Sequence, residues 1–300
     1  MSASGPGGGR VAVVVVHFGE VAPTAACLAA LARDGSRAAR RVVVVDNGET
    51  LGAGPWHGAE VVSLAGNPGF GAGANAGVAV FAGDPFDAIV VLNNDIEVAS
   101  GYLDAAVQAL RRPGVGLAAG PLYLTAAGGP LWYAGGGIDW LTGTVRQATS
   151  APAAARERTV GFIPGAAFAA RPEAWRSVGG FDPGYFLYNE DVDLGLRLRR
   201  RGWRLLFCPA MVAVHRLGGV TGSASRSPFY LEHLTATRLR PFRPLAYRLY
   251  LAALHSGYAL LRAGWYRAAV GGEAGRARAA AVIRGQRRAL TRLTIGPRAD

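Results

Sequence analysis

The stretch VAVVVVHFGEVAPTAACLAALARDGSRAARRVVVVDNGE, Val11 to Glu49, decides the fold class. It holds two Val-rich apolar runs, Val11–Val16 and Val42–Val45, separated by an Ala/Leu segment near Ala22–Arg33. Unbroken Val runs of strand length predict strands buried on both faces, and the segment between them predicts a helix. The second strand ends at Asp46. Working outward, EVVSL predicts a third strand, GAGANAGVAVFA a helix opening on glycines, and DAIVVLNND a fourth strand. Ser100 is the expected N-cap of a helix that ends near Arg112. Strands alternating with helices imply an α/β fold: a mostly parallel central sheet flanked by helices.

After Gly114 the pattern changes. Short apolar pieces and glycine turns such as LWYAGGGIDW predict hairpins, and ATSAPAAARER predicts a surface loop. Helical periodicity returns at Arg171–Val178 and Asp191–Arg201, with Gly202 placed to end the second helix. FCPAMVAVHRLGG predicts a strand closing at His215, then a glycine-rich loop. From about Tyr230 the chain reads as helix with interspersed arginines. The expected domains are a disordered tail (1–10), a catalytic domain (11–228) and a basic helical C-terminal extension (229–300).

Bulk properties set limits. Of 300 residues half are hydrophobic, enough for a sizeable core. The two cysteines, Cys27 and Cys208, form no CxxC pair, so neither a disulfide framework nor a zinc site is indicated, and a reducing cytoplasm is favoured. The opening MSASGPGGGR lacks the apolar core of a signal peptide. No run reaches the roughly 18–20 apolar residues of a spanning helix. The net charge of +12 is localised. Residues 1–215 carry seventeen arginines and seventeen acids, whereas residues 216–300 carry fifteen arginines against three acids. The whole basic excess therefore sits in the last 85 residues.

In open α/β sheets ligands bind beyond the carboxyl ends of the strands. Three polar groups fall at such ends: His17–Glu20, Asp46–Asn47 and Asn93–Glu97. The glycine-rich NPGFGAGANAG contains GxGxxA at Gly71, Gly73 and Ala76, but a dinucleotide fingerprint belongs after the first strand, where this chain has HFGE. Two readings stay open for it: a tight helix entry, or a loop whose backbone N–H groups and Asn75 approach a nucleotide. In VVLNNDIEV, Asp95 is either an ordinary turn residue or a ligand for a hard cation such as Mg²⁺ or Mn²⁺. His215 is either a bland residue at a strand end or, if it comes near Asp95, a metal ligand.

The acidic cluster in GGFDPGYFLYNEDVDLGLRLRRRGW (Gly179–Trp203) is more informative. Glu190, Asp191 and Asp193 follow the apolar-aromatic run Tyr185–Tyr188 directly. Helix-dipole preference for acids in a first turn accounts for Asp193. It does not account for three acids behind an apolar wall, where lost hydration would raise a carboxylate pKa toward that of a general base.

These ordered segments together, VVVVHFGE, VVVVDNGE, NPGFGAGANAGV, VVLNNDIEV, GFIPGAAFAARPEAWRSVGGFDPGYFLYNEDVDLGLRLRRRGW and PAMVAVHRLGG, resemble the inverting family-2 glycosyltransferases of GT-A fold, in particular the rhamnosyltransferase-like branch. The resemblance runs from Val11 to about Gly219. It implies that His17, Phe18, Gly19, Asp46, Asn47, Asn67, Gly71, Asn75, Asn93, Asn94 and Asp95 hold the nucleotide-sugar. It implies further that Asp95 and His215 bind a divalent metal, and that Gly165, Ala166 and Tyr188 line the donor-acceptor junction. Asp191, paired with Glu190, matches the catalytic base. Asn93 stands where the family's DxD motif has its first acid. The implied activity is hexosyl transfer from TDP-rhamnose, a UDP-hexose or UDP-galactofuranose to a glycan or glycolipid hydroxyl, with the aromatic run as acceptor platform. For the basic extension two readings stay open, a helical appendage packed on the catalytic domain and an anionic-membrane surface on the inner face of the plasma membrane. Nucleic acid is not an expected partner, because no base-reading motif is present. The rival functions are a nucleotidyltransferase and a catalytically silent sugar-nucleotide or membrane-binding protein.

Overall fold

The computed structural model describes residues 8–54, 56–216 and 226–294. Most of the expected tail, residues 1–7, and the glycines after His215 lie outside the described residues. The chain begins with β1 (Arg10–His17), α1 (Val21–Arg33), β2 (Ala39–Asp46), β3 (Glu60–Ser63), α2 (Phe70–Ala79), β4 (Ala88–Asn93), β5 (Ile96–Val98) and α3 (Tyr102–Arg111). Then come β6 (Val115–Ala119), β7 (Leu122–Tyr123), β8 (Leu131–Tyr133), β9 (Gly136–Asp139), β10 (Thr144–Gln147), α4 (Ala151–Ala154), β11 (Arg158–Val160) and β12 (Ala167–Ala170). The remainder is α5 (Pro172–Val178), α6 (Glu190–Arg200), β13 (Arg204–Phe207), β14 (Ala213–His215), α7 (Pro228–Thr237), α8 (Leu245–Trp265) and α9 (Gly272–Thr291), with a π-helical turn over Tyr266–Val270.

Eight strands form the main sheet in the order β11-β13-β6-β12-β4-β1-β2-β3. β1 is central and parallel to both neighbours. Val11 to Val16 are all buried, as the unbroken run predicts. Each such valine contributes on the order of 1.5–3 kcal/mol relative to exposure. α2 lies directly on this sheet because it carries glycine where the backbones meet. A Cβ on Gly77 would stand 2.4 Å from Val14 Cγ1. β12 is antiparallel to β4 and β6, so the sheet is mixed.

Three local expectations are corrected. The N-cap of α3 is Gly101 in the left-handed region, not Ser100. The carboxylate of Asp34 accepts from the N–H groups of Gly101 (2.6 Å) and Tyr102 (3.2 Å), so a distant acid does the capping a local hydroxyl was expected to do. The Ala-Pro loop contains the helical turn α4. The strand expected in FCPAMVAVH divides into β13 in the main sheet and β14 in a four-stranded sheet, β5-β14-β7-β8.

The expected boundary at residues 228/229 falls in the first turn of α7. Part of the helical extension packs into the main core through Leu239, Phe242, Leu251, Ala252 and Ala289. A smaller core, including Leu231, Ala259, Tyr266 and Val282, joins α7, α8 and α9 to one another. Glu232, buried, pairs with Arg284 at 2.8 Å and Arg288 at 2.7 Å, holding α9 on α7.

Candidate active site

Strand register brings the polar strand ends to one edge. His17 is level with Asp46, and Val16 with Asn93. Because β12 runs the other way, the residues just before it reach the same edge, and Asn93 N–H donates to Ala166 O at 2.8 Å. Beyond this edge lies a cavity of about 1000 Å³.

Its sheet-side wall includes Phe18, Asn47, Asn67, Gly69, Asn93, Asn94 and Asp95. Asn47 Nδ2 donates to Asn67 Oδ1 (2.9 Å) and Gly69 O (3.2 Å), while its buried Oδ1 has no hydrogen-bond partner. Gly69 has φ +100°, and a Cβ there would stand 2.1 Å from the carbonyl oxygen of Phe186. Only glycine lets the two loops close on each other.

His17, Gly19, Asp46, Gly71 and Asn75 are not among the lining residues; they stand behind the wall. His17, fully buried, bonds Thr24 (2.6 Å) and Thr50 (3.0 Å), and burial lowers its pKa. Gly19 turns the chain at φ +87°. The Asp46 carboxylate accepts from Thr50 and Leu51 N–H. Gly71 packs on Phe181, and Asn75 bonds both the N–H and the carbonyl of Phe181 at 2.9 Å. For Gly71 and Asn75 the observed contacts are those of a tight helix entry.

Asp95 and His215 lie 120 positions apart, yet β14 pairs antiparallel with β5, setting His215 opposite Ile96. His215 Nε2 thereby comes within 3.3 Å of Asp95 Oδ1. The imidazole meets the edge of Trp132 at 4.7 Å between centroids, and its Nδ1 has no hydrogen-bond partner. Two ligands of one ion at about 2.1 Å each stand about 3 Å apart, so this pair fits a shared divalent cation. Among the described residues no third His, Cys, Asp or Glu joins them, so further ligands would be phosphate or water oxygens.

The three acids have three different environments. Asp193 is fully buried and pairs with Arg197, also buried, at 2.7 Å; Arg197 also donates to Val178 O. This is structural anchoring of α6. Glu190 is buried in the cavity wall with Oε2 unpartnered, and burial, then the Asp191 charge, push its pKa well up. Asp191 lines the cavity, its Oδ2 accepting from Gly165 N–H (3.0 Å) and Oδ1 from Val192 N–H (2.8 Å). Burial raises its pKa and these N–H groups oppose the rise. Tyr188 and Asn189, directly before, both have positive φ (67° and 65°), strain that turns the acids into the cavity. Of the aromatic run, Phe186, Leu187 and Tyr188 line the cavity. Tyr185 does not; it is fully buried beneath the Arg240 guanidinium.

The sequence profile of the family described as Glycosyltransferase like family 2 matches residues 6–240. The chain belongs to that family. This glycosyltransferase is 32% identical over 258 residues to the N-acetylglucosaminyl-diphospho-decaprenol L-rhamnosyltransferase of Mycobacterium tuberculosis, covering 76% of this chain and 77% of that one. A 38-residue segment, 13% of this chain and 14% of the other, is 58% identical to the Escherichia coli rhamnosyltransferase WbbL. Among solved structures, GalNAc-T7 with UDP, GalNAc and Mn²⁺ matches with a TM-score of 0.61 at 16% identity over 85% of this chain. The match spans about half (52%) of that longer chain. The Pyrobaculum calidifontis mannosyltransferase PcManGT, in complex with GDP-Man and Mn²⁺, matches at 0.57 and 17% identity, over 94% of this chain and 87% of that one. The fold is that of the GT-A glycosyltransferases.

Sequence reasoning missed the opposite wall of this glycosyltransferase. Phe229, Tyr230, Leu234, Arg238, Phe242 and His255 all line the cavity and all come from the helical extension. Asn189 Nδ2 donates to Thr237 Oγ1 (2.8 Å), and Thr237 Oγ1 to Tyr188 O (2.9 Å). Tyr188 meets the Tyr230 ring edge-on at 5.1 Å. The signal available was the apolar-aromatic content of α7 itself, which entered the sequence reading only as part of a helical extension and not as a wall of the site.

Proposed function

We propose that this glycosyltransferase is inverting and moves a sugar, rhamnose first among the candidates, from a nucleoside-diphosphate sugar to a hydroxyl of a lipid-linked glycan. The observation that carries this reading is Asp191: a carboxylate of raised pKa, aimed by Gly165 N–H, on the wall between the strand-end residues and the C-terminal helices. The mycobacterial relative's name supplies the donor sugar and the acceptor class.

In this mechanism the donor lies along the strand-end wall, with Asn47, Asn67, Asn93 and Asn94 facing the nucleotide and Phe18 beside it. His17, Gly19, Asp46, Gly71 and Asn75 support that wall from behind. The acceptor hydroxyl enters between Asp191 and the helices, near Gly165, Ala166 and Tyr188. Its oxygen forms the new bond to the anomeric carbon from the face opposite the diphosphate. The old carbon–oxygen bond breaks, its electrons leave with the diphosphate, and Asp191 takes the hydroxyl proton. General-base help of this kind is worth roughly 10²–10⁴-fold. Burial and then the Asp191 charge push the Glu190 pKa well up, which opposes a second negative charge beside Asp191. Asp95 and His215 would hold a Mg²⁺ or Mn²⁺ ion, which when bound offsets negative charge on the diphosphate.

The acceptor class also accounts for the outer face of α8. His255 looks into the cavity, while Leu249, Tyr250, Leu254, Tyr258, Leu261 and Trp265 of the same helix are exposed. No helix among the described residues is long and apolar enough to cross a membrane. An apolar, Tyr/Trp-bearing face on an arginine-rich extension supports docking at the interface of an anionic membrane, and the proposed location is the inner face of the plasma membrane. Pelleting with anionic liposomes at low salt, weakened at high salt and by Leu254→Ser with Leu261→Ser, is the expected result.

The functional test is a nucleotide-sugar panel, read first as thermal stabilisation with Mg²⁺ or Mn²⁺ and then as product stereochemistry by NMR. Transfer with inverted anomeric configuration is expected. Retention would overturn the reading; donor binding without turnover would favour the catalytically silent alternative.

A further inference from the structure

Arg238 is the one arginine among the described cavity-lining residues. It sits immediately after α7, next to Thr237, whose hydroxyl is bonded to Asn189 two residues ahead of Asp191. Its Nη1 donates to His255 Nδ1 at 2.9 Å, and His255 Nε2 in turn donates to Thr142 O at 2.9 Å. A guanidinium always donates, so this chain of bonds makes His255 a neutral acceptor. Burial, then the Arg238 charge, pull the imidazole down to about 4.

No carboxylate pairs with Arg238 among the described residues. Burial, and then the like charge of Arg262, pull its pKa down to about 10. Of the other carboxyl groups that line the cavity, Asp95, Glu190 and Asp191 belong to the walls already described, and Glu20 is the exposed residue just before α1. Other arginines withdrawn from solvent show the usual solution: Arg197, fully buried, pairs with Asp193, and Arg240, half-buried, with Asp182. Arg248 also has no acid among the described residues, but it does not line this cavity. Arg238 therefore offers N–H groups that no acceptor among the described residues takes, held in place by a neutral histidine and flanked by Leu234 and Phe242. A poorly hydrated, uncompensated cation in a ligand cavity is costly unless an anion completes it. A planar fork of donors suits phosphate oxygens.

We infer that Arg238, positioned by His255, is the acceptor-phosphate site: it binds the phosphate that links the acceptor sugar to its lipid carrier. This deepens the acceptor reading above and rests on it. The site selects a phosphate-linked acceptor over the same sugar without phosphate, and it does so from the C-terminal helices rather than from the sheet.

Direct binding tests this without requiring turnover. A short-chain prenyl diphosphate, the corresponding prenyl alcohol and inorganic pyrophosphate are titrated by intrinsic tryptophan fluorescence. The donor site is kept filled by whichever nucleoside diphosphate best stabilises the protein. The wild type is expected to bind the prenyl diphosphate about tenfold or more tighter than the alcohol, and Arg238→Gln to lose that difference while Arg238→Lys keeps part of it. Equal affinity for diphosphate and alcohol in the wild type would overturn the inference whatever the folding of the variants. Pyrophosphate binding as tightly as the prenyl diphosphate would overturn the assignment to a lipid-linked acceptor. In transfer assays, Arg238→Gln should raise KM for a prenyl diphospho-sugar about tenfold with kcat little changed, and leave the methyl glycoside of that sugar unaffected. Equal losses on both acceptors would contradict a phosphate site. Binding through Arg238 without any sugar transfer would instead remove the proposed function and leave the anion site standing.

Discussion

The two walls of the cavity are built differently. The strand-end wall is set by sheet register: Asn47, Asn93 and Asp95 stand at the carboxyl ends of β2 and β4, whose Val43–Val45 and Val90–Leu92 are buried, and pairing of β14 with β5 delivers His215. The opposite wall is helical, built from α7, Arg238 and α8, and is joined to the acid-bearing loop by a few side-chain bonds such as Thr237 to Asn189. A wall made by register presents fixed polar atoms for a constant ligand part, here a nucleoside diphosphate. A wall made by helix packing can change with the acceptor while the sheet stays as it is. Asp191 stands between them, on a helix held in place by the Asp193–Arg197 pair.

That difference is open to breaking. Arg197→Met leaves Asp193 buried without its partner, and the expected loss is about 3–5 kcal/mol of folding stability in urea melts, touching both walls at once. Asp95→Asn should lower turnover about 10²–10³-fold with every acceptor, phosphate-bearing or not, at an unchanged melting temperature. Acceptor-dependent loss would mean that the sheet wall also reads the acceptor.

Glu190→Gln sharpens the account of the acids through pH. The folded-state pKa of Glu190 is raised, by burial first and then by Asp191. As pH rises above the ordinary carboxylate range, the unfolded chain releases this proton while the folded chain keeps it, so wild-type stability falls through that window. The variant lacks the effect. Its stability relative to wild type should grow from acid toward neutral pH, read as the difference in melting temperature; a constant difference would contradict a raised Glu190 pKa in the folded protein. The smallest expected effect is that of Thr237→Val, about 0.5–1.5 kcal/mol of stability. It should bring a few-fold rise in acceptor KM and no change in donor KM, since only the tie between α7 and the Tyr188–Asn189 turn is cut.

The same contrast explains what the sequence disclosed. Val11–Val16 and Val42–Val45 can only be buried strands, so the sheet and its carboxyl edge were legible, along with Asn47, Asn93 and Asp95 on it. His215 required the family resemblance, because nothing local reveals that β14 will pair with the distant β5. Gly71 and Asn75 looked like ligand contacts because a glycine that admits a phosphate and a glycine that admits a neighbouring chain segment have the same sequence. Arg238 and His255 were hidden among fifteen arginines in a basic segment. Charge counting there sees the exposed majority, and only packing reveals the one that lines the cavity.

The most direct measurement compares Asp191→Asn with the wild type for donor binding and for sugar transfer, on the same preparation. The substituted amide keeps the shape and an acceptor for Gly165 N–H but takes no proton at neutral pH. The expected result is donor affinity within about twofold of wild type and transfer reduced by roughly 10²–10⁴-fold. Transfer at the wild-type rate, with the variant folded and the donor bound, would contradict the assignment of Asp191 as the base on which both walls converge.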